Sequence, residues 1–395
     1  MSPMQRQARI ANLLLIIVFA GMISLPMAGM LLGWRLGPVL QERRTLAPRP
    51  QPGAMPLDAL PGAVDAFYRD HFGFRDVFIY AHNRIRHKFL RASSEKVLDG
   101  EGDWLFYTGD RLFKDFMGID PFTGEELRAW RAALEGRQAW LAERGIRYLF
   151  VVAPNKAMIY PERLPEHIRT LRSRTRYEQL LAYLREHSTV RIVELHDAMA
   201  EAKTDHVVYY ANDSHWNNRG AFVAYQGICS RLQAWFPDVA ALPAQAFEVS
   251  IQHHEGGLGR MLGLAAEYGL DAEFLTPAGG WRATLRDVSP EAEYLWTPNR
   301  ITGTVSAEVR TRPAAERRLL MFHDSFGRFY LNQFLGEHFS RSVFLFRRSD
   351  FESLRTLVEV ARPDVVIDEL VERSLGEPLA TSPELEAARA RQQGH

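Results

Sequence analysis

The stretch Glu125 to Val152, EELRAWRAALEGRQAWLAERGIRYLFVV, decides the fold class. Leu127, Trp130, Leu134 and Trp140 recur at helical spacing with charges between them, which predicts an amphipathic helix from Glu125 to Arg144. Gly145 ends it, and the apolar run Tyr148-Leu149-Phe150-Val151-Val152 then reads as a strand. The same order returns where a helix over Tyr177 to His187 leads into Val190-Arg191-Ile192-Val193. Further runs follow at Leu319 to Phe322, Val343 to Phe346 and Val365 to Ile367. Short apolar runs separated by helices predict an α/β fold with a largely parallel sheet covered by helices on both faces. Ligands of such sheets gather beyond the carboxyl ends of the strands, so the search for chemistry starts after Val152, Val193 and Phe322.

The rest of the chain agrees with a large folded body. Its 395 residues exceed one ordinary domain, and a composition 46% hydrophobic and 24% charged can bury a sizeable core. Lys plus Arg and Asp plus Glu both number 48, and no basic block tracks a phosphate backbone, so nucleic acid is not expected as a partner. The single cysteine, Cys229, excludes an intramolecular disulfide and lies in an apolar helical stretch from Phe222 to Trp235, where it reads as a small buried hydrophobe.

Ile10 to Trp34 is a run of 25 residues without a charged side chain, long enough to cross a hydrocarbon core of about 30 Å. A cleavable signal peptide with Arg6 and Arg9 at its positive end also fits, but its apolar core would be shorter, and length favours an anchor. Arg35, Arg43, Arg44 and Arg49 on the far side leave the positive-inside count undecided. The expected plan is a short tail (1–9), a transmembrane anchor (10–34), a Pro-rich spacer (35–60), a catalytic domain (61–373) and a frayed tail (374–395).

Two segments carry chemistry. His323-Asp324-Ser325-Phe326-Gly327-Arg328 follows an apolar strand and precedes a helical pattern running through Phe334. A serine at such a turn is placed where N–H groups and the helix dipole favour developing negative charge, and it serves equally well as an N-cap. Asn212-Asp213-Ser214-His215-Trp216-Asn217 precedes a second helix, from Arg219 to Trp235. A serine nucleophile needs a base near neutrality, and an imidazole held in one tautomer by a carboxylate supplies it. Asp213 and His215 offer that pair, although an isolated Asp-x-His more often caps a helix. The pair gains weight only beside Ser325.

These motifs, taken in order, resemble the alginate O-acetyltransferase AlgJ/AlgX-like family of SGNH-hydrolase-like proteins. Phe67 to Asp76, Asp103 to Asp110, and Val152-Ala153-Pro154-Asn155-Lys156 with Tyr160-Pro161 extend the resemblance over roughly residues 60 to 370. It implies an SGNH-hydrolase-like fold and an exported enzyme that moves acetyl groups onto polysaccharide hydroxyls. By motif, Ser325 is the nucleophile, His215 the base and Asp213 the orienting acid. It further implies a catalytic domain in the periplasm, held by a single-pass helix in the inner membrane. A membrane-bound acyl-transfer partner would supply the acetyl group, and no cofactor is implied. His323 stands where many relatives have glycine, and a structural histidine at the strand end is the simpler reading of it. Nothing after Ile367 is long enough for the carbohydrate-binding module that some members carry, so the anchored single-domain plan fits better.

Asn155, Lys156, Trp216, Arg260 and Arg328 are the expected substrate-binding residues, each with an ordinary alternative as a turn, core or solvated side chain. Gly256-Gly257-Leu258-Gly259-Arg260-Met261-Leu262 resembles a segment near the family's active site, and its three glycines also suit a flexible loop. His253-His254-Glu255 lacks the spacing of a ligand set, and no metal is expected. Three functions remain open at this point: an O-acetyltransferase, an esterase using the same triad with water, and a non-catalytic polysaccharide-binding assembly protein.

Overall fold

The computed structural model describes residues 3–34, 45–51, 53, 55–89, 94–286, 307–376 and 378–379. Most of the expected C-terminal tail and residues 35–44 of the spacer lie outside them. The chain divides into two compact units, one drawn from Met1–Ser94 and Gly259–Tyr268, the other from Glu95–Leu258 and Gly269–His395.

In the first unit, α1 (Pro3–Leu31) includes Arg9–Leu31, which is long and apolar enough to cross a membrane. Two shorter helices follow, α2 (Leu60–His71) and α3 (Arg75–Arg84). The distant segment Gly259–Tyr268 is tied to α3. Tyr80 Oη donates to Glu267 Oε1 at 2.5 Å, and Asn83 Nδ2 donates to the Leu262 carbonyl at 2.7 Å. Arg260 belongs to this segment, and its side chain is exposed.

The second unit is built on a seven-stranded sheet. Its strands are β3 (Arg147–Ala153), β4 (Ile192–Val193), β7 (Thr284–Arg286), β8 (Ala307–Thr311), β9 (Arg318–His323), β10 (Arg341–Phe346) and β11 (Val365–Val371). They lie in the order β4-β3-β11-β9-β10-β8-β7. The first five are mutually parallel and contain four of the expected strand runs whole and Ile192–Val193 of the run from Val190, while β8 and β7 add an antiparallel edge. The sheet is thus mixed, with the expected parallel body. Two ribbons accompany it, β1 (Val97–Asp99) with β2 (Leu105–Tyr107), and β5 (Phe247–His254) with β6 (Leu270–Pro277).

Burial on both faces explains the continuous apolar strands. Along β3, Leu149 and Val151 join one core with Met321, Ile367, Trp216 and Ile228. Tyr148, Phe150 and Val152 point the other way, toward Trp130, Leu134 and Leu354. The first core is covered by α6 (Asn218–Gln233), the second by α4 (Gly124–Ala142), α5 (Arg176–His187) and α7 (Phe351–Ala361). Helix α4 starts at a capping box, in which Thr123 Oγ1 accepts from the Glu126 N–H and the Glu126 carboxylate accepts from the Thr123 N–H. Arg137, in the same helix, is fully buried. It donates to the Ser349 carbonyl at 3.1 Å and pairs with Asp368 of β11 at 3.5 Å.

Candidate active site

Strand β9 ends at His323, and the chain turns at once into Ser325. Carboxyl groups hold that turn. Asp324 Oδ1 accepts from the Phe326 N–H at 2.8 Å, and Asp324 Oδ2 accepts from the Val371 N–H at 2.7 Å. Glu369 Oε2 accepts from the N–H of Asp324 at 3.1 Å and of Gly327 at 3.2 Å. His323 is buried, which lowers its pKa and keeps the ring neutral. Its Nδ1–H donates to the Asp324 carbonyl at 2.7 Å, leaving Nε2 to accept from Asn332 Nδ2 at 3.2 Å. The bulk of His323 is accommodated four residues on, because a Cβ on Gly327 would lie 2.5 Å from that of His323. His323 is therefore structural here.

The helical pattern expected through Phe334 is interrupted. A wide turn over Gly327–Leu331 contains Phe329 at φ −80°, ψ 91° and Tyr330 at φ 71°, before a short helix over Asn332–Gly336. A tyrosine in left-handed conformation is costly and persists only where its surroundings impose it. Here Tyr330 Oη is hydrogen-bonded to Tyr210 Oη at 2.7 Å, and the Phe329 carbonyl freed by the break accepts from the indole N–H of Trp216 at 3.2 Å.

Asp213 and His215 lie in the loop closed by an isolated bridge between Tyr209 and Trp216, just before the start of α6. His215 Nδ1 lies 2.7 Å from Asp213 Oδ1, and His215 Nε2 lies 2.7 Å from Ser325 Oγ. With Nδ1–H donating to the carboxylate, Nε2 is left to accept a hydrogen bond from the Ser325 hydroxyl. The imidazole is packed by Phe329 and Phe326, whose ring centroids are 4.4 Å and 5.0 Å away. Asp213 Oδ2 accepts from the Gly257 N–H at 2.5 Å and lies 3.4 Å from His254 Nε2. Burial works to raise the Asp213 pKa. The hydrogen bonds and charge of His215, with the contacts of His254 and Gly257, outweigh it and hold the carboxyl well below its usual range.

The loop behind this pair rests on a buried cation. The ammonium of Lys156 donates to the carbonyls of Leu105, of Tyr210 at 3.0 Å, of Ala211 at 3.2 Å and of Asp213 at 2.6 Å. Burial lowers its pKa to about 7, with Asp213 pulling the other way. The glycines expected near the site have a steric reason. Gly256 has φ 74°, and a Cβ there would meet the Asn212 side chain at 2.4 Å; one on Gly257 would lie 2.9 Å from Asp213 Oδ2.

Ser325, His215 and Asp213 are thus in contact, whereas the expected sugar-binding residues divide. Trp216 is 0% and Lys156 3% exposed, and both are committed to backbone carbonyls, so the reading of them as substrate contacts is corrected to one of scaffold. Asn155 is corrected likewise. It is buried, its N–H donates to Glu372 Oε2 at 2.6 Å, and its Oδ1 accepts from Arg373 Nη1 at 3.3 Å. Arg328 is exposed, with its guanidinium 5.7 Å from the Phe346 ring centroid. Cys229 is buried, and burial pushes its thiol up. Among the described residues no group of three or more His, Cys, Asp or Glu is arranged to hold a metal ion. Sequence reasoning weighed His254 only as a metal ligand and missed its place beside Asp213 and its stacking on Tyr210 at 3.7 Å, and it missed the pair Tyr210 and Tyr330 and the buried Glu369. The glycine pair Gly256-Gly257, which the sequence tied to the family's active site, was the signal beside His254.

Comparison with known proteins adds a family. Residues 97–279 match the family described as SGNH hydrolase-like domain, acetyltransferase AlgX. That stretch contains Asp213 and His215 and ends before Ser325. The chain is 26% identical over 201 residues to the probable alginate O-acetylase AlgJ of Pseudomonas aeruginosa, covering 50% of this chain and 48% of that protein. It is also 26% identical over 208 residues to the protein of the same name from Pseudomonas putida, covering 52% and 51%. The chain thus spans about half the length of the curated relatives it matches. Among solved structures, Bacillus cereus PatB1 aligns with a TM-score of 0.50 at 17% identity, over 71% of this chain and 96% of that one, a likeness of fold.

Proposed function

We propose, from the match of residues 97–279 to the family described as SGNH hydrolase-like domain, acetyltransferase AlgX, and from the likeness to probable alginate O-acetylases, that this chain moves acetyl groups onto hydroxyls of an exported polysaccharide, alginate or a similar polymer. The observation that carries the reading is the unbroken path from Asp213 through His215 to Ser325 Oγ. A binding-only protein has no need of it.

In the first half-reaction Ser325 Oγ attacks the acetyl carbonyl of an activated ester while its proton passes to His215 Nε2. The carbonyl electron pair moves onto oxygen, then returns as the donor's leaving group departs with the proton. In the second half a sugar hydroxyl gives its proton to His215 and attacks the acetyl-serine, and Ser325 Oγ leaves, recovering the proton. Asp213 keeps the imidazole in the accepting tautomer and stabilises the imidazolium. The residues need no metal for this path.

The remaining expectations belong to the same proposal. Residues 10–34 anchor the chain in the inner membrane, 35–60 form a spacer, 61–373 form the catalytic domain on the periplasmic side, and 374–395 form a tail. A membrane-bound acyl-transfer partner supplies the acetyl group. Arg328 and Arg260, both exposed, are the residues proposed to meet an anionic polymer.

The test uses the full chain in detergent with 4-nitrophenyl acetate, with and without alginate oligosaccharides, read by intact-protein and glycan mass spectrometry beside Ser325→Ala. Acetyl on Ser325 and then on the sugar, both lost in the variant, is the expected result. Acetate release indifferent to sugar makes the protein an esterase, and no Ser325-dependent acetylation at all overturns the reading.

A further inference from the structure

Glu369 lies on β11, the strand between β3 and β9 at the centre of the parallel sheet, and is 1% exposed. An acid there reads oddly in a strand, Val365–Val371, whose every residue is buried. Its Oε2 accepts two backbone N–H groups, those of Asp324 and Gly327, which bracket Ser325 on either side. The N–H of Phe326, between them, is taken by Asp324 Oδ1. Of the four N–H groups from Asp324 to Gly327, that of Ser325 alone has no acceptor among the described residues.

That arrangement has a chemical consequence. A tetrahedral intermediate needs a preorganised donor aimed at its oxyanion, and a turn whose N–H groups were all free could point several ways or turn inward. We propose that Glu369 is the positioning residue of the nucleophile turn: one of its oxygens clamps the backbone on both sides of Ser325 and reserves the Ser325 N–H for the oxyanion. The proposal rests on the acetyl-transfer reading for the identity of that oxyanion. The clamp itself is a statement about the turn.

Burial first, and then the charge of neighbouring Asp324, push the Glu369 carboxyl well above the usual range, while the two N–H groups that Oε2 accepts pull the other way. Glutamine presents the same oxygen without an ionisable proton. A methionine fills the space without an acceptor.

The experiment compares the full-length wild type, Glu369→Gln and Glu369→Met by two readouts. One is backbone hydrogen exchange over the peptide containing Asp324 to Gly327. The other is the rate at which 4-nitrophenyl acetate acetylates Ser325, resolved into kcat and KM. The expected result is that Gln keeps the protection and stays within about threefold of wild type, while Met loses the protection and about a hundredfold in kcat with KM little changed. A folded Met variant with wild-type protection and rate overturns the proposal, as does a Gln variant as impaired as Met. If Met does not fold, the Gln variant decides alone, since retention supports the clamp and loss overturns it. If wild-type Ser325 takes no acetyl group, the acetyl-transfer reading falls, and the exchange measurement still judges the clamp.

Discussion

The indole N–H of Trp216 closes on the carbonyl of Phe329 at 3.2 Å, across 113 residues of sequence. This bond ties the residue next to His215, the proposed base, to the interrupted helix that begins at Ser325, the proposed nucleophile. Trp216 also packs edge-on against Phe326, at 4.9 Å between centroids. One side chain therefore registers the two loops against each other.

Trp216→Phe keeps most of the ring and removes the donor. A buried carbonyl left unsatisfied costs about 1 to 3 kcal/mol, and a small shift between base and nucleophile costs about tenfold to a hundredfold in kcat. Thermal unfolding and single-turnover acetylation measure the two separately. A variant with unchanged kcat shows that the bond does not set the distance from His215 to Ser325.

Asp213→Asn is nearly isosteric, and it turns the residue that fixes the His215 tautomer into one that can donate to it. The expected loss is about a thousandfold to ten-thousandfold in kcat with folding retained. The native carboxyl is held well below the usual range, so its contribution to stability is present above the unfolded value, near pH 4, and is lost as pH falls through the folded value. Acid unfolding of wild type and variant should converge below that window. Divergence growing toward low pH contradicts it.

Lys156 shows the same sign of pH dependence in a higher window. Its folded pKa, about 7, lies below the ordinary 10.5, so between those values the unfolded chain binds more protons than the folded one. The contribution of this group to stability therefore rises with pH across that window. Lys156→Met lacks this slope and leaves four carbonyls without their donor, a loss expected to exceed about 3 kcal/mol. Denaturant unfolding at pH 7, 8 and 9 should show the gap between wild type and variant widening. A gap that narrows over this range contradicts burial as the cause of the low pKa.

Gly256→Ala puts a Cβ at 2.4 Å from the Asn212 side chain, at a φ of 74° that alanine adopts at a cost of about 1 to 3 kcal/mol. The loop must move, and with it the Gly257 N–H that braces Asp213. Activity should drop at least about tenfold, chiefly in kcat. An unchanged rate with lowered stability would assign the glycine to folding alone.

The parts of the fold that were legible are those with two buried faces. Runs such as Leu319 to Phe322 are apolar without interruption because helices cover both sides, and that pattern survives in sequence. The antiparallel edge is different. Ala307–Thr311 alternates charged and small residues, with a polar character that a loop shares. The candidate site was legible through residue types whose spacing suits a reaction, Asp213 with His215 and a serine after a strand, and these the fold brings into contact. Lys156 and Trp216 were misread because a polar or aromatic residue after a strand suits a sugar and a buried carbonyl equally well, and only the fold shows which it meets. Glu369 left no mark, since it sits beside Asp368 in an otherwise apolar strand with no periodicity to single it out, and its partners lie over forty residues away.

The break at Phe329 and Tyr330 has an electrostatic corollary. A long helix projects a field from its amino end, and added salt weakens such a field. After Ser325 the regular helix is cut within about one turn, so little aligned dipole stands behind the serine. Charge developing at the reacting carbonyl is left to contacts at hydrogen-bonding range, which ions in solution cannot screen. The rate of serine acetylation by a neutral ester should accordingly be almost the same in dilute buffer and in molar salt. Any salt dependence of the whole reaction would then report on the charge of the acceptor polymer.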